Sequence, residues 1–253
     1  MKTERRRNQI IASLQAIQSD LTVEELAETF KVSGLTIRRD LERLEADKVI
    51  LRTHGGCILR TSVQSGYHTR VVEHLELKQA IGRAAAAEVA DGDVILIADG
   101  STTFHLASHL ARVKKLSVFT NSLGIIPVLS RFPDSEVYVL GGQYDKEMRF
   151  IAGSMMERTL EELNFDKVFL GTDAIDAKGN CLTYNANLAR IVEAMLRRGT
   201  RKILLADHTK AGARSYAIYA TLADFDVWYT TPGVDHNQLR QYRRQTAVKV
   251  VTT

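Results

Sequence analysis

Between residues 94 and 251 seven short, almost uninterrupted apolar runs recur: Val94–Ala98, Leu116–Thr120, Val137–Leu140, Lys167–Leu170, Lys202–Ala206, Val227–Thr230 and Val248–Val251. A strand with one wet face alternates apolar and polar residues, whereas a strand covered on both faces reads as a continuous apolar run. Most of the gaps between these runs are long enough for a helix. The pattern therefore predicts alternating strands and helices, an α/β unit built on a mostly parallel sheet. A further helix is expected from about Leu77 through Ile81, Ala84, Ala85 and Val89, ending near Asp91-Gly92. No repeat of fixed length and no low-complexity tract is present.

The residues just beyond each run bear more directly on function, because open α/β sheets bind ligands at the carboxyl ends of their strands. The first run leads into Asp99-Gly100-Ser101-Thr102-Thr103 and the second into Asn121-Ser122. The third ends in Gly141-Gly142, the fourth in Gly171-Thr172-Asp173 and the fifth in Asp207-His208-Thr209-Lys210. Gly100–Thr103 opens a helix, so its amides and hydroxyls suit a phosphate. Lys210 could neutralise the same anion, and Asp99, Asn121 and Asp173 could accept hydrogen bonds from sugar hydroxyls. Plain structural readings stand beside these. Gly100–Thr103 also reads as a strand-to-helix turn with a serine cap, and Lys210 equally as a surface lysine. Gly141-Gly142 reads more readily as a tight turn. Their joint placement on one sheet edge favours the ligand reading.

The first sixty residues carry a different signal. Ile10, Ile11, Leu14 and Ile17 recur at helical spacing, predicting an amphipathic helix over about 4–18. Thr22 and Glu25 have the spacing of a capping box, opening a helix through Phe30 whose apolar side is Val23, Leu26, Ala27 and Phe30. After the turn Lys31-Val32-Ser33, with Ser33 as cap, a further helix stacks Ile37, Leu41 and Leu44 on one stripe. Its other face carries Thr36, Arg39 and Arg43 with Arg38 on the flank, donors that a major groove can receive. Lys31 stands at a turn position where glycine is common, and the small Ala27 lets the two helices approach closely. Asp40, inside this basic helix, is expected to orient Arg38, Arg43 or a neighbouring backbone group rather than to touch DNA.

Val49–Arg52 and Cys57–Arg60 then read as two strands joined by Thr53-His54-Gly55-Gly56. A basic hairpin directly after a recognition helix is a wing, suited to phosphate or minor-groove contact. The expected DNA interface thus comprises Ser33, Thr36, Arg38, Arg39, Arg43, Arg52, His54, Gly55 and Gly56, with His54 either a DNA contact or an ordinary turn residue.

The polar stretch 61–75, without clear periodicity, reads as a linker. It divides an α+β winged helix-turn-helix domain (1–60) from an α/β effector-sensing domain (76–253). Two cysteines far apart, Cys57 and Cys181, fit a reducing cytosol. The basic start lacks an apolar stretch behind it, and no apolar run reaches the roughly 18 residues that cross a membrane, so a cytoplasmic protein without a membrane partner is expected. A net charge of +4 permits nucleic-acid binding without requiring it. His68, His74, His105, His109 and His236 lack a convincing ligand spacing, and His105 and His109, four apart, have no evident third ligand, so neither metal nor cofactor is expected.

Three segments in order, Val23-Glu24-Glu25-Leu26-Ala27, Ser33-Gly34-Leu35-Thr36-Ile37-Arg38-Arg39-Asp40-Leu41 and Arg52-Thr53-His54-Gly55-Gly56, resemble the DeoR family of bacterial transcriptional regulators. The resemblance continues through Gly100–Thr103, Thr120–Ser122, Leu140–Gly142, Phe169–Asp173 and Leu205–Lys210, nearly the whole chain. It implies a sensor domain akin to ribose-5-phosphate isomerase, recast to sense phosphorylated sugars, in a protein that is most often a repressor. The chain departs from the family at three places. Ala98 stands where an aspartate is usual, with Asp99 adjacent. Asn187–Glu193 fits poorly a helix that commonly bears a glutamate and a lysine facing the ligand. Ala211 replaces the aromatic residue after the lysine.

The expected function is a repressor of carbohydrate-metabolism genes, binding a double-stranded DNA operator as a homo-oligomer, dimer or tetramer, and relieved by a phosphorylated sugar or sugar alcohol. An activator would share this architecture, since the sign depends on where the operator lies. The alternative is a sugar-phosphate isomerase with a basic appendage, for which Asp99, Asp173, Asp207 and Glu193 are candidate bases. Nothing marks a base–acid pair among them, and the expectation is of no enzyme.

Overall fold

The computed structural model describes residues 2–17, 21–47, 49–53, 56–59 and 66–253. The chain divides into two compact units, Met1–Glu73 and His74–Thr253.

The first unit opens with α1 (Lys2–Ile17), a two-residue strand β1 (Leu21–Thr22), α2 (Val23–Phe30) and α3 (Gly34–Ala46). The capping box forms as its spacing predicts: Glu25 N donates to Thr22 Oγ1 (3.1 Å) and Thr22 N to Glu25 Oε2 (2.8 Å). Lys31 turns the chain in the left-handed region (φ 51°, ψ 48°), which explains why glycine is common at such a position. Ile10 and Leu14 of α1, Val23 and Leu26 of α2, and Ile37, Leu41 and Leu44 of α3 share one core with Ile50 and Cys57. The last two belong to β2 (Ile50–Thr53) and β3 (Gly56–Leu59), which pair antiparallel as the expected wing. Unforeseen is β1, which pairs with β3 on its other side. The contact is so close that a Cβ on Gly56 would lie 2.1 Å from the Leu21 carbonyl oxygen. Glycine is required there by space, not by turn conformation. Within the stretch read as a linker, residues 66–72 form α4 (Gly66–Val72), with Tyr67 and Val71 buried.

The second unit runs α5 (Leu75–Ala86), β4 (Val94–Ile97), α6 (Ser101–Ala107), β5 (Leu116–Thr120), α7 (Ile126–Leu129) and β6 (Ser135–Val139). A hairpin of β7 (Gln143–Asp145) and β8 (Phe150–Ala152) leads into α8 (Ser154–Glu161) and β9 (Phe165–Leu170). Then come β10 (Ala174–Ile175), β11 (Asn180–Thr183), α9 (Ala186–Leu196), β12 (Gly199–Leu205) and β13 (Ala217–Thr221). β14 (Val227–Thr230), α10 (His236–Tyr242) and β15 (Ala247–Val250) complete the chain. All seven predicted runs form the seven strands of one parallel sheet, in the order β15-β14-β12-β9-β4-β5-β6. Side chains alternate across it. Ile95, Ile97, Phe169, Ile203 and Leu205 pack on the face of α5, α6 and α7. Leu96, Val168, Leu170, Leu204 and Trp228 pack on the face of α8, α9 and α10. Helices cover both faces of the central strands, which is why these read as nearly unbroken apolar runs, while the edge strands β6 and β15 stay largely exposed. A small antiparallel sheet, β10-β11-β13, is added after β9.

At the end of α5, Glu88 ties three strands together. Its carboxylate accepts from Arg201 of β12 (2.8 Å), Lys249 of β15 (2.8 Å) and the Tyr229 hydroxyl of β14. Burial alone would raise its pKa. The hydrogen bonds from Arg201, Lys249 and Tyr229 outweigh that and bring it down to about 2.

Candidate DNA interface and effector crevice

Ile37, Asp40, Leu41 and Leu44 are the buried residues of α3, so its remaining faces are free to meet a ligand. Ser33 caps the helix, its Oγ accepting from Thr36 N at 3.3 Å and lying 2.9 Å from Thr36 Oγ1. Thr36 is therefore half-buried and held in place. Arg38 and Arg39 are exposed, and among the described residues their guanidinium groups have no ion-pair partner. Arg43 is exposed too and pairs loosely with Asp47 (3.3 Å) one turn on. Leu35 also stands on the exposed surface, 61% accessible, an apolar residue suited to a thymine methyl. Sequence reasoning passed over it because it lies off the apolar stripe and carries no charge.

Two expectations change here. Asp40 does not orient Arg38 or Arg43. Its carboxylate is buried and accepts from Nε of Arg6 (2.5 Å) and Nε of Arg7 (3.1 Å), both on α1. Arg52 does not simply offer donors around the turn: its Nη1 reaches the Arg38 carbonyl at 3.5 Å, and its Nε is buried without a partner. The wing strand is thereby tied to the helix beside it. Gly56 lies on β3 against β1. His54 and Gly55 lie outside the described residues.

In the second unit the strand order reverses next to β4. The chain moves from β4 outward through β5 and β6, then returns to place β9 on the other side of β4. At such a reversal the turns after the two central strands of an open α/β sheet diverge to opposite faces, and the crevice between them is where ligands are taken. Here Asp99–Thr103 follows β4 and Gly171–Asp173 follows β9.

Several polar residues at this edge serve the turns themselves. Asn121 is fully buried: its Oδ1 accepts from Asp99 N (2.8 Å), and its Nδ2 donates to Asp99 Oδ1 (3.1 Å) and the Ile151 carbonyl (3.0 Å). Rather than facing sugar hydroxyls as expected, it fastens the end of β5 to the β4 turn and to β8. Thr102 and Thr103 are buried, and Thr103 Oγ1 donates to the Gly100 carbonyl (2.9 Å). Of the three hydroxyls expected to meet a phosphate, only that of Ser101 belongs to a residue left partly accessible. Ser122 is buried, with its Oγ unpartnered.

Gly141 and Gly142 are exposed, and Gly142 runs so near β8 that a Cβ would meet the Ala152 carbonyl oxygen at 2.5 Å. Its glycine is accounted for by that close approach to β8, a third reading beside the ligand and tight-turn ones. The Gly171 carbonyl accepts from the Tyr219 hydroxyl (2.7 Å). Asp173 accepts from Thr183 Oγ1 (2.8 Å) and Tyr184 N (3.2 Å), so β11 holds its carboxylate.

After β12, Asp207 is fully buried. One carboxylate oxygen caps the short turn His208–Lys210 by accepting from Thr209 N (2.9 Å), and the other has no partner. Lys210 is half-buried on that turn. On α9, Arg190 pairs with Glu157 (3.1 Å) and Glu193 with Arg197 (3.2 Å), so these charges are used on the outer surface of the helices. Among the described residues no group of three metal-ligating side chains comes together.

A winged helix-turn-helix unit joined to a doubly wound α/β unit is the build of a two-part transcriptional regulator, and comparison with known proteins is specific about which. A family model described as the DeoR-like helix-turn-helix domain matches residues 6–63, and one described as the DeoR C terminal sensor domain matches residues 73–231. The chain belongs to the DeoR family of transcriptional regulators. It is 34% identical to the HTH-type transcriptional regulator GlpR of Haloferax volcanii, over 93% of this chain and 92% of that one. It is 30% identical to the glycerol-3-phosphate regulon repressor of Escherichia coli, over 91% of each. The isomerase alternative gives way to this assignment. Among solved structures, ribose 5 phosphate isomerase A from Neisseria gonorrhoeae aligns with a TM-score of 0.40 at 17% identity, covering 55% of this chain and 54% of that one, a likeness too slight to carry an argument. No helix among the described residues is long and apolar enough to cross a membrane.

Proposed function

We propose that this regulator is a repressor of carbohydrate-metabolism genes, acting in the cytoplasm as a homo-oligomer and released from its operator by a phosphorylated sugar or sugar alcohol. The observation that carries the DNA half is the exposed face of α3, where among the described residues the guanidinium groups of Arg38 and Arg39 have no ion-pair partner, above a buried apolar stripe. In this reading α3 enters the major groove with Thr36, Arg38, Arg39 and Arg43, and the wing around His54–Gly56 tracks the backbone. One such helix reads too few bases for genomic specificity, which is the reason for a second copy. Residues 1–60 then form the reading head and 76–253 the sensor.

For the effector, the crevice beside β4 carries the reading, with Asp99, the Gly100-Ser101 backbone, Gly171, Asp173 and Lys210 as its contacts. The relative named for a glycerol-3-phosphate regulon supports a phosphorylated polyol as the class. Release requires that the ligand bind one conformation more tightly than the other.

A thermal-shift screen of phosphorylated sugars, each beside its unphosphorylated parent, tests the sensor. A phosphate ester at a hundred times its Kd should stabilise by about 2.7 kcal/mol while its parent does nothing. If no ester moves the transition, the effector assignment is wrong, whatever becomes of DNA binding.

A further inference from the structure

The buried carboxylate of Asp40 has a consequence for how DNA is held. Both arginines that meet it do so through Nε. An arginine bound through Nε keeps its two terminal amino groups, and among the described residues those of Arg6 and Arg7 have no partner. The side chains remain 18% and 29% exposed, against 2% for Asp40. Two positive charges face one negative charge, so the cluster retains one net positive charge with its hydrogen-bond donors at the surface. Its position is set by helix geometry. At about 100° per residue, Asp40 lies about 40° from Thr36 and about 60° from Arg43 around the axis of α3. The cluster therefore sits on the flank bordering Thr36 and Arg43. Arg52 of the wing occupies the other flank, against the Arg38 carbonyl.

We infer that Arg6 and Arg7, aligned by Asp40, form a second DNA-contacting site in the N-terminal unit, a seat for a backbone phosphate on the side of α3 opposite the wing. A guanidinium held at Nε presents its remaining donors as a rigid fork, the geometry that matches phosphate oxygens. Asp40 is the positioning residue: it draws no phosphate itself but fixes where both forks point. The reading head would then grip the duplex backbone on both sides of the base-reading helix. This inference rests on the proposed DNA reading and adds to it a residue group on α1 that phosphate contacts require.

The test measures the affinity of the full chain for a fluorescent mixed-sequence duplex as salt rises from roughly 50 to 200 mM, a range over which each phosphate contact accounts for about 3.5-fold of the loss. Arg6→Gln and Arg7→Gln are made singly, so that Asp40 keeps one partner in each. Each is expected to weaken binding and to lower the salt slope by up to about 1, and by no more than that in total if they share one phosphate. Asp40→Asn gives the sharper result. It adds one unit of positive charge, so simple attraction would tighten binding to this duplex, whereas loss of alignment weakens it severalfold. Unchanged slopes in both arginine variants, or tighter binding by Asp40→Asn, would overturn the inference while Arg39→Gln, used alongside, still weakened binding. A wild-type chain with no salt-dependent affinity for duplex DNA would instead sink the underlying reading.

Discussion

On α3 the residues singled out for ligand contact mostly stand open to solvent, whereas at the carboxyl edge of the sheet many of them are already engaged. Among the described residues the guanidinium groups of Arg38 and Arg39 have no ion-pair partner, while Asn121, Thr103 and Asp173 are each bound to the turns beside them. The difference is one of backbone. A helix satisfies its own amides and carbonyls, so its surface side chains are left over for a partner. A strand-end turn leaves backbone groups unpaired, and nearby polar side chains are recruited to satisfy them. Polar residues in such turns are therefore evidence of a shaped edge first and of ligand contact second.

Substituting Asn121 by alanine probes this contrast most strongly. It would strip partners from Asp99 N and the Ile151 carbonyl, each costing about 1–3 kcal/mol when left unmade in a buried place. We expect the melting transition of the purified protein to fall by roughly 6–12 °C, taking a total near 3 kcal/mol and about 2–4 °C per kcal/mol for a unit of this size. A full melting temperature with lost effector binding would show that Asn121 contacts ligand after all and would erase the contrast. Arg39→Ala should leave the melting transition in place and weaken operator binding by about 1–3 kcal/mol, roughly 5- to 150-fold, in a mobility-shift titration. Should it also unfold the N-terminal unit, the helix surface would be no freer than the sheet edge.

Glu88 lies in neither site and serves as a baseline. Glu88 has its pKa lowered from 4.5 to about 2 in the folded chain, so its ion pairs contribute stability in full above pH 4.5 and lose it as pH falls toward 2. The corresponding loss should shrink in Glu88→Gln, read as a shallower fall of melting temperature across that interval. An identical acid profile would remove Glu88 from the account.

The parallel sheet was legible because strands covered on both faces are mostly apolar along their length, and runs such as Leu116–Thr120 and Val227–Thr230 coincide with β5 and β14. β10 and β11 were not legible: two and four residues long, they present too little pattern to separate from loop. α4 was hidden for a related reason, since its buried Tyr67 and Val71 are separated by His68, Thr69 and Arg70. The capping box of α2 could be read from residues three apart, whereas the partners of Asp40 lie more than thirty positions away on α1. Charge spacing within a helix reports which residues share a face, not which other helix that face meets.

The strand order also sets a timetable for synthesis. β4, at the middle of the sheet, finds β5 soon after it is made, but its other neighbour is β9, where Ile95 meets Lys167. At about 5–20 residues per second, the roughly seventy residues between them take on the order of 4–14 s to add. Through that interval the nascent chain carries β4 with one apolar flank and one row of backbone groups uncovered, at the very strand that later anchors both halves of the sheet. The N-terminal unit, complete within its first seventy residues or so, has no comparable wait. The DNA-reading head can therefore be finished on the ribosome while the sensor is still an open-edged fragment, the stage of its life at which a chaperone has most to protect.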